Sequence, residues 1–504
     1  MALLLVTGRN AAEAVKRCAK SLSVPAVVRV CGVDVASFLT VGDLLKGVLG
    51  ADPDKITGII VPGNVIGDVS AVAKKTGIPC YKGPLSISDL PETLEKYLSG
   101  EIKLSTVVPA DEIMQEGSEA RMRRELSGAL RRPGKYSFKI GKKRAVYLGA
   151  GGMGCVVAEI NDAPLLSERE LAEKAVYFRD SGAGIIDLGM MAGRDNSKKI
   201  DGIVKVVRSA VDIPLSIDSL DPKEIVCAVD AGIDLVLSVD LCNYGVFESL
   251  DVPAVVIPRD ARGKVPAEPL ERVFLVEKIM ESLEGKKLIA DMVLNPVNSG
   301  YAGSLQAYAL FREKHPGVPM MLGAGNVTEL LDADSQGVNA LLAGYASEMG
   351  IGLLFTVEAS PKTHGSVAEL SAAARMMYLA RKRGQAPKDL GLDLLVLKDK
   401  KKGALNDLSS LKLPVARALK AKDGVMEDSE FRIYVDRLIN AVYYEKNKPL
   451  LRITGGSAQE VYGEILARKL TKDVSHASYL GKELSKAEIA LRLGKSYIQD
   501  VDLF

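Results

Sequence analysis

Eight short apolar runs, most of them closing on a polar residue, recur with helical stretches between or after them through the middle of the chain. They are Cys155–Asn161, Gly184–Leu188, Pro214–Asp218, Asp234–Asp240, Pro253–Ile257, Lys287–Val293, Val318–Gly323 and Gly352–Val357. Most carry Val, Ile and Leu at both alternate sets of positions. Such strands are buried on both faces, which is the habit of parallel sheets. Parallel neighbours need a crossover, and Glu168–Ser181, Pro222–Ala231, Leu270–Leu283, Leu305–Lys314 and Val367–Lys382 have helical patterning in the right places. Eight such strands in this length predict a closed (β/α)8, TIM-type barrel over residues 146–388.

The flanks read differently. Residues 1–110 predict a Rossmann-like parallel α/β domain, with strands at Leu3–Thr7, Pro25–Val30, Ile56–Val61 and Ile78–Tyr81 and a helix at Asp68–Thr76. Residues 111–145 predict a basic helical linker, in which Glu125 stands alone against ten Lys and Arg from Arg121 to Arg144. Residues 389–504 predict a small α+β domain. It opens with the loop Asp399–Gly403 and holds strands Phe431–Val435 and Leu450–Thr454 and helices Ala458–Leu470 and Lys482–Leu493. The whole is an α/β chain with a central barrel between two smaller domains.

Composition removes several functions. Lys and Arg total 66 against 64 Asp and Glu, so the chain is no polycation and nucleic acid is not an expected partner. The six Cys never come within zinc-ligand spacing, which suits buried thiols in a reducing compartment. No apolar run is long enough to span a membrane, and the opening MALLLVTGRN is too short for a signal core and reads as a first strand. A cytoplasmic location is expected.

The chemistry is written at the strand ends. In a (β/α)8 barrel, reacting groups project from the C-terminal ends of the strands. Seven of the eight ends here carry a carboxylate or an amide: Asn161 and Asp162, Asp187, Asp218, Asp240, Asp291, Asn326 and Glu358. The three His residues, 315, 364 and 476, are not among them, so a Ser-His-Asp arrangement is not expected. A carboxylate accepts two parallel hydrogen bonds from an N–C–N edge, as in a 2-amino-4-oxopteridine, and hard oxygens at Asn161 and Asp162 suit Mg²⁺.

In their order, AEINDAP, IIDLG, PLSIDS, AGIDLVLSVD and LIADM resemble the pterin-binding barrels, namely dihydropteroate synthases and pterin-dependent methyltransferases. The full layout, tail His476–Asp500 included, resembles the dihydropteroate synthase-related proteins, which occur where tetrahydromethanopterin is the one-carbon carrier. The resemblance implies pterin binding by Asp218, Asp240, Asp291, Asn326 and Asn161, catalysis by Asn326, Glu358 and Asp187, and a metal at Asn161 and Asp162. It implies a transferase of one-carbon metabolism, synthase-like in pterin cofactor biosynthesis. Two alternatives stay open: methyl transfer from N5 of a reduced pterin to a corrinoid protein or thiol, or a non-catalytic pterin carrier. A homodimer is a further expectation.

The basic elements that synthases carry after strands seven and eight are absent. Strand seven ends in GAGNV, similar to the Asn-containing turn of methyltransferases, and strand eight ends in TVEAS. Lys362 or the basic stretch 121–144, folded over the mouth, is the expected substitute. Three smaller motifs have plainer explanations. Gly149–Gly154 matches GxGxxG but precedes a strand, so it is a lead-in to the barrel. Thr454–Ser457 reads as a capped turn, and Thr7–Asn10 as a Gly-containing turn with Asn as cap.

Overall fold

The computed structural model describes residues 2–48, 50–85, 87–114, 117–131, 138–149, 152–388, 390–397, 431–471 and 473–503, side chains at 37, 88, 117–121 and 131 excepted. Arg132, Lys135 and the loop Asp399–Gly403 lie outside the described residues, as do the side chains of Arg121 and Arg131. The chain forms two compact units, Met1–Val357 with Gly365–Leu394, and Glu358–His364 with Leu395–Phe504.

The first unit opens with β1 (Ala2–Thr7), β2 (Ala26–Val30), β3 (Ile56–Val61) and β4 (Cys80–Lys82), which form a parallel sheet in the order β2-β1-β3-β4. Alternation along β1 buries Leu4 and Val6 on one face and Leu3 and Leu5 on the other. Both faces are therefore covered, as a parallel sheet requires.

The linker is more than helix. Helix Gly117–Leu126 is followed by a hairpin of β5 (Phe138–Ile140) and β6 (Val146–Leu148). Ile140, Val146 and Leu148 pack on Cys155, Ile185, Leu235 and Leu353 at the starts of barrel strands, so the hairpin plugs the N-terminal end of the barrel. Its turn brings Lys142, Lys143 and Arg144 to that end, where Arg144 pairs with Asp212 at 2.9 Å. The expectation that this basic stretch covers the mouth is overturned for these residues. Three-residue strands spaced by a charged turn read as linker because they are too short for a periodicity to show.

The barrel strands are β7 (Cys155–Ile160), β8 (Ile185–Gly189), β9 (Leu215–Asp218), β10 (Leu235–Val239), β11 (Ala254–Val256), β12 (Leu288–Ala290), β13 (Met321–Gly323) and β14 (Leu353–Val357). They pair in parallel in the order β12-β11-β10-β9-β8-β7-β14-β13, and a parallel bridge between Ala290 and Met320 joins the two ends. Odd-numbered residues of β7, β8 and β10, such as Val157, Ile185 and Leu237, fill the bore. Even-numbered ones, such as Val156, Ile186 and Val236, pack under the helices. Each fully buried Val, Ile or Leu contributes roughly 1.5–3 kcal/mol. After β10 the crossover is the short turn helix Tyr244–Glu248.

In the second unit β15 (Phe431–Val435), β16 (Ile439–Glu445) and β17 (Lys448–Gly455) form an antiparallel meander against helices Ala458–Ala467 and Val474–Leu493. Buried Glu483 accepts from Lys486 Nζ at 2.7 Å, Tyr497 Oη at 2.8 Å and the Asp500 amide at 3.2 Å, fastening the last residues to this core. The Thr454–Ser457 turn is capped from within: the Gly456 amide donates to Glu460 at 2.7 Å and the Ser457 hydroxyl accepts from the Glu460 amide at 3.3 Å.

Candidate functional site

Parallel register brings three acids together at the C-terminal end of the barrel. Glu159 on β7 stands beside Asp187 on β8, Asp187 beside Ser216 on β9, and Gly189 beside Asp218. Ligand oxygens of Glu159, Asp187 and Asp218 all lie within 4.8 Å of one another. Asp187 is fully buried; one of its oxygens accepts from the Ser216 hydroxyl at 2.5 Å and the other has no partner. Neither the Glu159 nor the Asp218 carboxylate makes a hydrogen bond among the described residues.

Like charges at this spacing in a dry bore disfavour ionisation. Burial first, then Asp218 and Asp162, pushes the Glu159 carboxyl up to about 7. Burial pushes Asp218 up to about 6. Burial, then Asp218 and Glu159, hold Asp187 well above the carboxylate range, against the Ser216 hydrogen bond. The three titrate as one cluster, and each has a carboxylate oxygen with no donor among the described residues.

Asp291 closes β12 in a different setting. Its Oδ1 accepts from the Val293 amide at 2.8 Å and from the buried Tyr308 hydroxyl, while Oδ2 has no partner among the described residues. Burial raises its carboxyl to about 6, opposed by these hydrogen bonds and by the charge of Arg272. Arg272 is itself buried. It donates to the carbonyls of Pro266 at 2.7 Å, Met292 at 3.0 Å and Val293 at 2.6 Å, and to Asn295 Oδ1 at 2.6 Å. This clamp holds Val293 at a φ of 60°, an unfavourable value for a β-branched residue. The loop after β12 is thus braced to present Asp291.

The other expected residues sit as follows. Asn161 follows β7, half-buried, and its amide makes no hydrogen bond among the described residues. Asp162 is exposed at a φ of 50°, so the acids that converge are Glu159, Asp187 and Asp218, not Asp162. Asp240 is fully buried and employed within the chain. It accepts from the amides of Cys242 at 2.7 Å and Asn243 at 3.0 Å and pairs with Arg259 at 3.0 Å, which suits a loop anchor better than an open ligand. Asn326 is exposed, with its Nδ2 donating to the Leu294 carbonyl at 3.0 Å. Glu358 and Lys362 fall in the second compact unit, where the Glu358 carboxylate lies 3.5 Å from His364 Nδ1.

Sequence reasoning missed Glu159, Ser216, Tyr308, Arg259 and Arg272. Glu159 had a signal, because it lies on the odd-numbered row of β7, which faces the bore. Tyr308 and Arg272 lie in helices 17 and 19 residues from Asp291, and no spacing rule links them to a strand end. Glu224 is another. Its carboxylate accepts from the Asn196 amide at 2.7 Å and the Ser219 hydroxyl at 2.6 Å, tying the loop after β8 to the turn after β9.

Parallel strands closed into a ring, with buried acids at their C-terminal ends, define a (β/α)8 barrel. Across its full length the chain is 36% identical to an uncharacterized protein of Methanocaldococcus jannaschii, 99% of which is covered. Residues 427–500 match the family model PterinBD-DUF4346. The chain belongs to one family with this archaeal relative, and its C-terminal residues carry the PterinBD-DUF4346 domain. Similar solved structures include a Xanthomonas albilineans dihydropteroate synthase in complex with 7,8-dihydropteroate, at 18% identity and a TM-score of 0.35 over 46% of this chain and 93% of that one. A Yersinia pestis dihydropteroate synthase matches at 16% identity and a TM-score of 0.40 over 49% of this chain and 99% of that one.

Proposed function

We propose that the barrel mouth binds a reduced pterin and that the protein is a transferase acting on it in tetrahydromethanopterin-type one-carbon metabolism. One observation carries the reading. Asp218 and Asp291 are two acids at the mouth with open oxygens, one of them unpartnered and the other rigidly braced. Each can take an N–H edge of a heterocycle, and charge-assisted bonds in a dry site are the strong ones. Asp187 and Glu159 beneath them hold a proton that can be delivered to, or taken from, the ring during group transfer. Asn161 is the group left to hold Mg²⁺ or a substrate phosphate.

Between the transfer chemistries, a biosynthetic step on the pterin that displaces no diphosphate is favoured over methyl transfer. The methyl-transfer reading, with its corrinoid partner, needs the Asn326 amide directed at N5. Here that amide nitrogen is fastened to the Leu294 carbonyl. Fluorescence titration of the purified protein with 6-substituted dihydropterins and tetrahydropterins, together with mass spectrometry of co-purifying small molecules, tests the reading. Saturable binding lost on changing Asp218 supports it. Absence of binding to every reduced pterin overturns it. Sedimentation analysis tests the expected homodimer.

A further inference from the structure

We propose a second ligand site in the N-terminal domain, at the point where the strand order of its sheet reverses, which takes an unphosphorylated nitrogen heterocycle such as a nucleobase or nucleoside. β1 is followed by β2 on one side and flanked by β3 on the other, so the chain leaves the carboxyl ends of β1 and β3 in opposite directions. That divergence opens a crevice, the usual place for ligands on such sheets. Here it is a cavity of about 300 Å³, floored by aliphatic side chains such as Leu5, Val15 and Ile60 and walled on one side by Gly384–Ala386, beyond the last barrel helix.

Three features set the ligand class. The first is Thr7, which ends β1 on the cavity wall. It is 2% exposed, and its hydroxyl has no hydrogen-bond partner among the described residues. The hydroxyl is not sealed in the core but opens on the cavity, so its donor and acceptor are offered to a ligand there. Secondly, the other polar residues on the wall are the amides Asn10, Asn64 and Gln385 with Lys388 at its edge, and no carboxylate of a described residue lines it. An amide offers a donor beside an acceptor, the complement of a heterocycle edge. An aliphatic floor without carboxylates suits an uncharged ring.

The third feature is the turn after β1, where nucleotide-binding sheets hold phosphate with free backbone N–H groups. Here those groups are spent within the chain: the Arg9 amide donates to the Val33 carbonyl at 2.9 Å and the Asn10 amide to the Asp34 carbonyl at 2.9 Å. A Cβ on Gly8 would lie 2.8 Å from the Ala36 nitrogen. The glycine thus admits the 33–36 loop, and that loop sits where a phosphate would.

Isothermal titration of the full chain with adenosine, guanosine, AMP and inorganic phosphate tests this. The expected result is saturable binding of at least one nucleoside, with AMP weaker than adenosine and phosphate inert. Thr7→Val should weaken it about tenfold, the loss of one hydrogen bond, and Ala14→Phe, which fills the cavity, should abolish it. Asp218→Asn in the barrel should leave it unchanged, which separates this site from the pterin reading. Three results overturn the proposal: no nucleoside binding, tighter binding of AMP or phosphate, or parent-like binding by folded Thr7→Val. Should Ala14→Phe fail to fold, the Thr7 methyl resonance, shifted by nucleoside or not, decides.

Discussion

The carboxylate of Glu159 occupies the space that a side chain at residue 189 would fill: a Cβ built on Gly189 lies 2.2 Å from Glu159 Oε1. The glycine that ends β8 is therefore the seat of an acid from β7, and the two positions are energetically one. Gly189→Ala should destabilise the protein by roughly 1–3 kcal/mol through overpacking. In the Glu159→Ala background the same change should be close to neutral. Urea unfolding of the two single variants and the double variant measures the coupling. Additive effects would show that Glu159 is not held there.

The acid cluster predicts the pH dependence of stability. Glu159, Asp187, Asp218 and Asp291 all have carboxyls raised in the folded state, to about 7 for Glu159 and about 6 for Asp218 and Asp291. Between the unfolded and folded values the native state binds more protons than the unfolded chain. The stability these groups support is thus complete below about pH 4 and lost as pH rises through 6 to 7. Melting temperature should fall from pH 5 to pH 8, and Glu159→Gln should flatten that fall. A Glu159→Gln profile parallel to the parent's would contradict this.

Pterin affinity should depend on both open acids. Asp218→Ala should lose about 1.5–3 kcal/mol of binding free energy, the worth of a charged hydrogen bond. Asp291→Asn should weaken binding as well. Tyr308→Phe, which removes the hydroxyl bracing Asp291, should do so more mildly. Titration of each variant with one reduced pterin checks the order. If Asp218→Ala and Asp291→Asn both bind like the parent, these roles are wrong.

The mouth predicts what the protein will not do. Displacing diphosphate needs fixed positive charge where the leaving group departs. At the mouth Arg259 is paired with Asp240, Arg272 is spent on carbonyls, and Lys142–Arg144 lie at the opposite end of the barrel. Purified protein given hydroxymethyldihydropterin diphosphate, Mg²⁺ and 4-aminobenzoate should form no dihydropteroate above background. Robust turnover of that pair would refute the point.

What the sequence determined by itself was the succession of elements. Alternating Val, Ile and Leu runs and helices announce a parallel barrel because burial on both strand faces leaves a periodic trace, and the strand ends named Asp187, Asp218 and Asp291. Local patterns weaken where elements are short: the three-residue strands of the β5–β6 hairpin left too faint a trace. Tertiary structure decided which acids share a site and which are spent. Asp187 meets Glu159 only through the register of β7 and β8. Asp240 is taken up by Arg259, and Asp291 is freed on one oxygen and fixed on the other by Tyr308, a helix away. A residue's partners across a barrel depend on closure and register. Those are set by the packing of the whole chain, and no window of the sequence contains them.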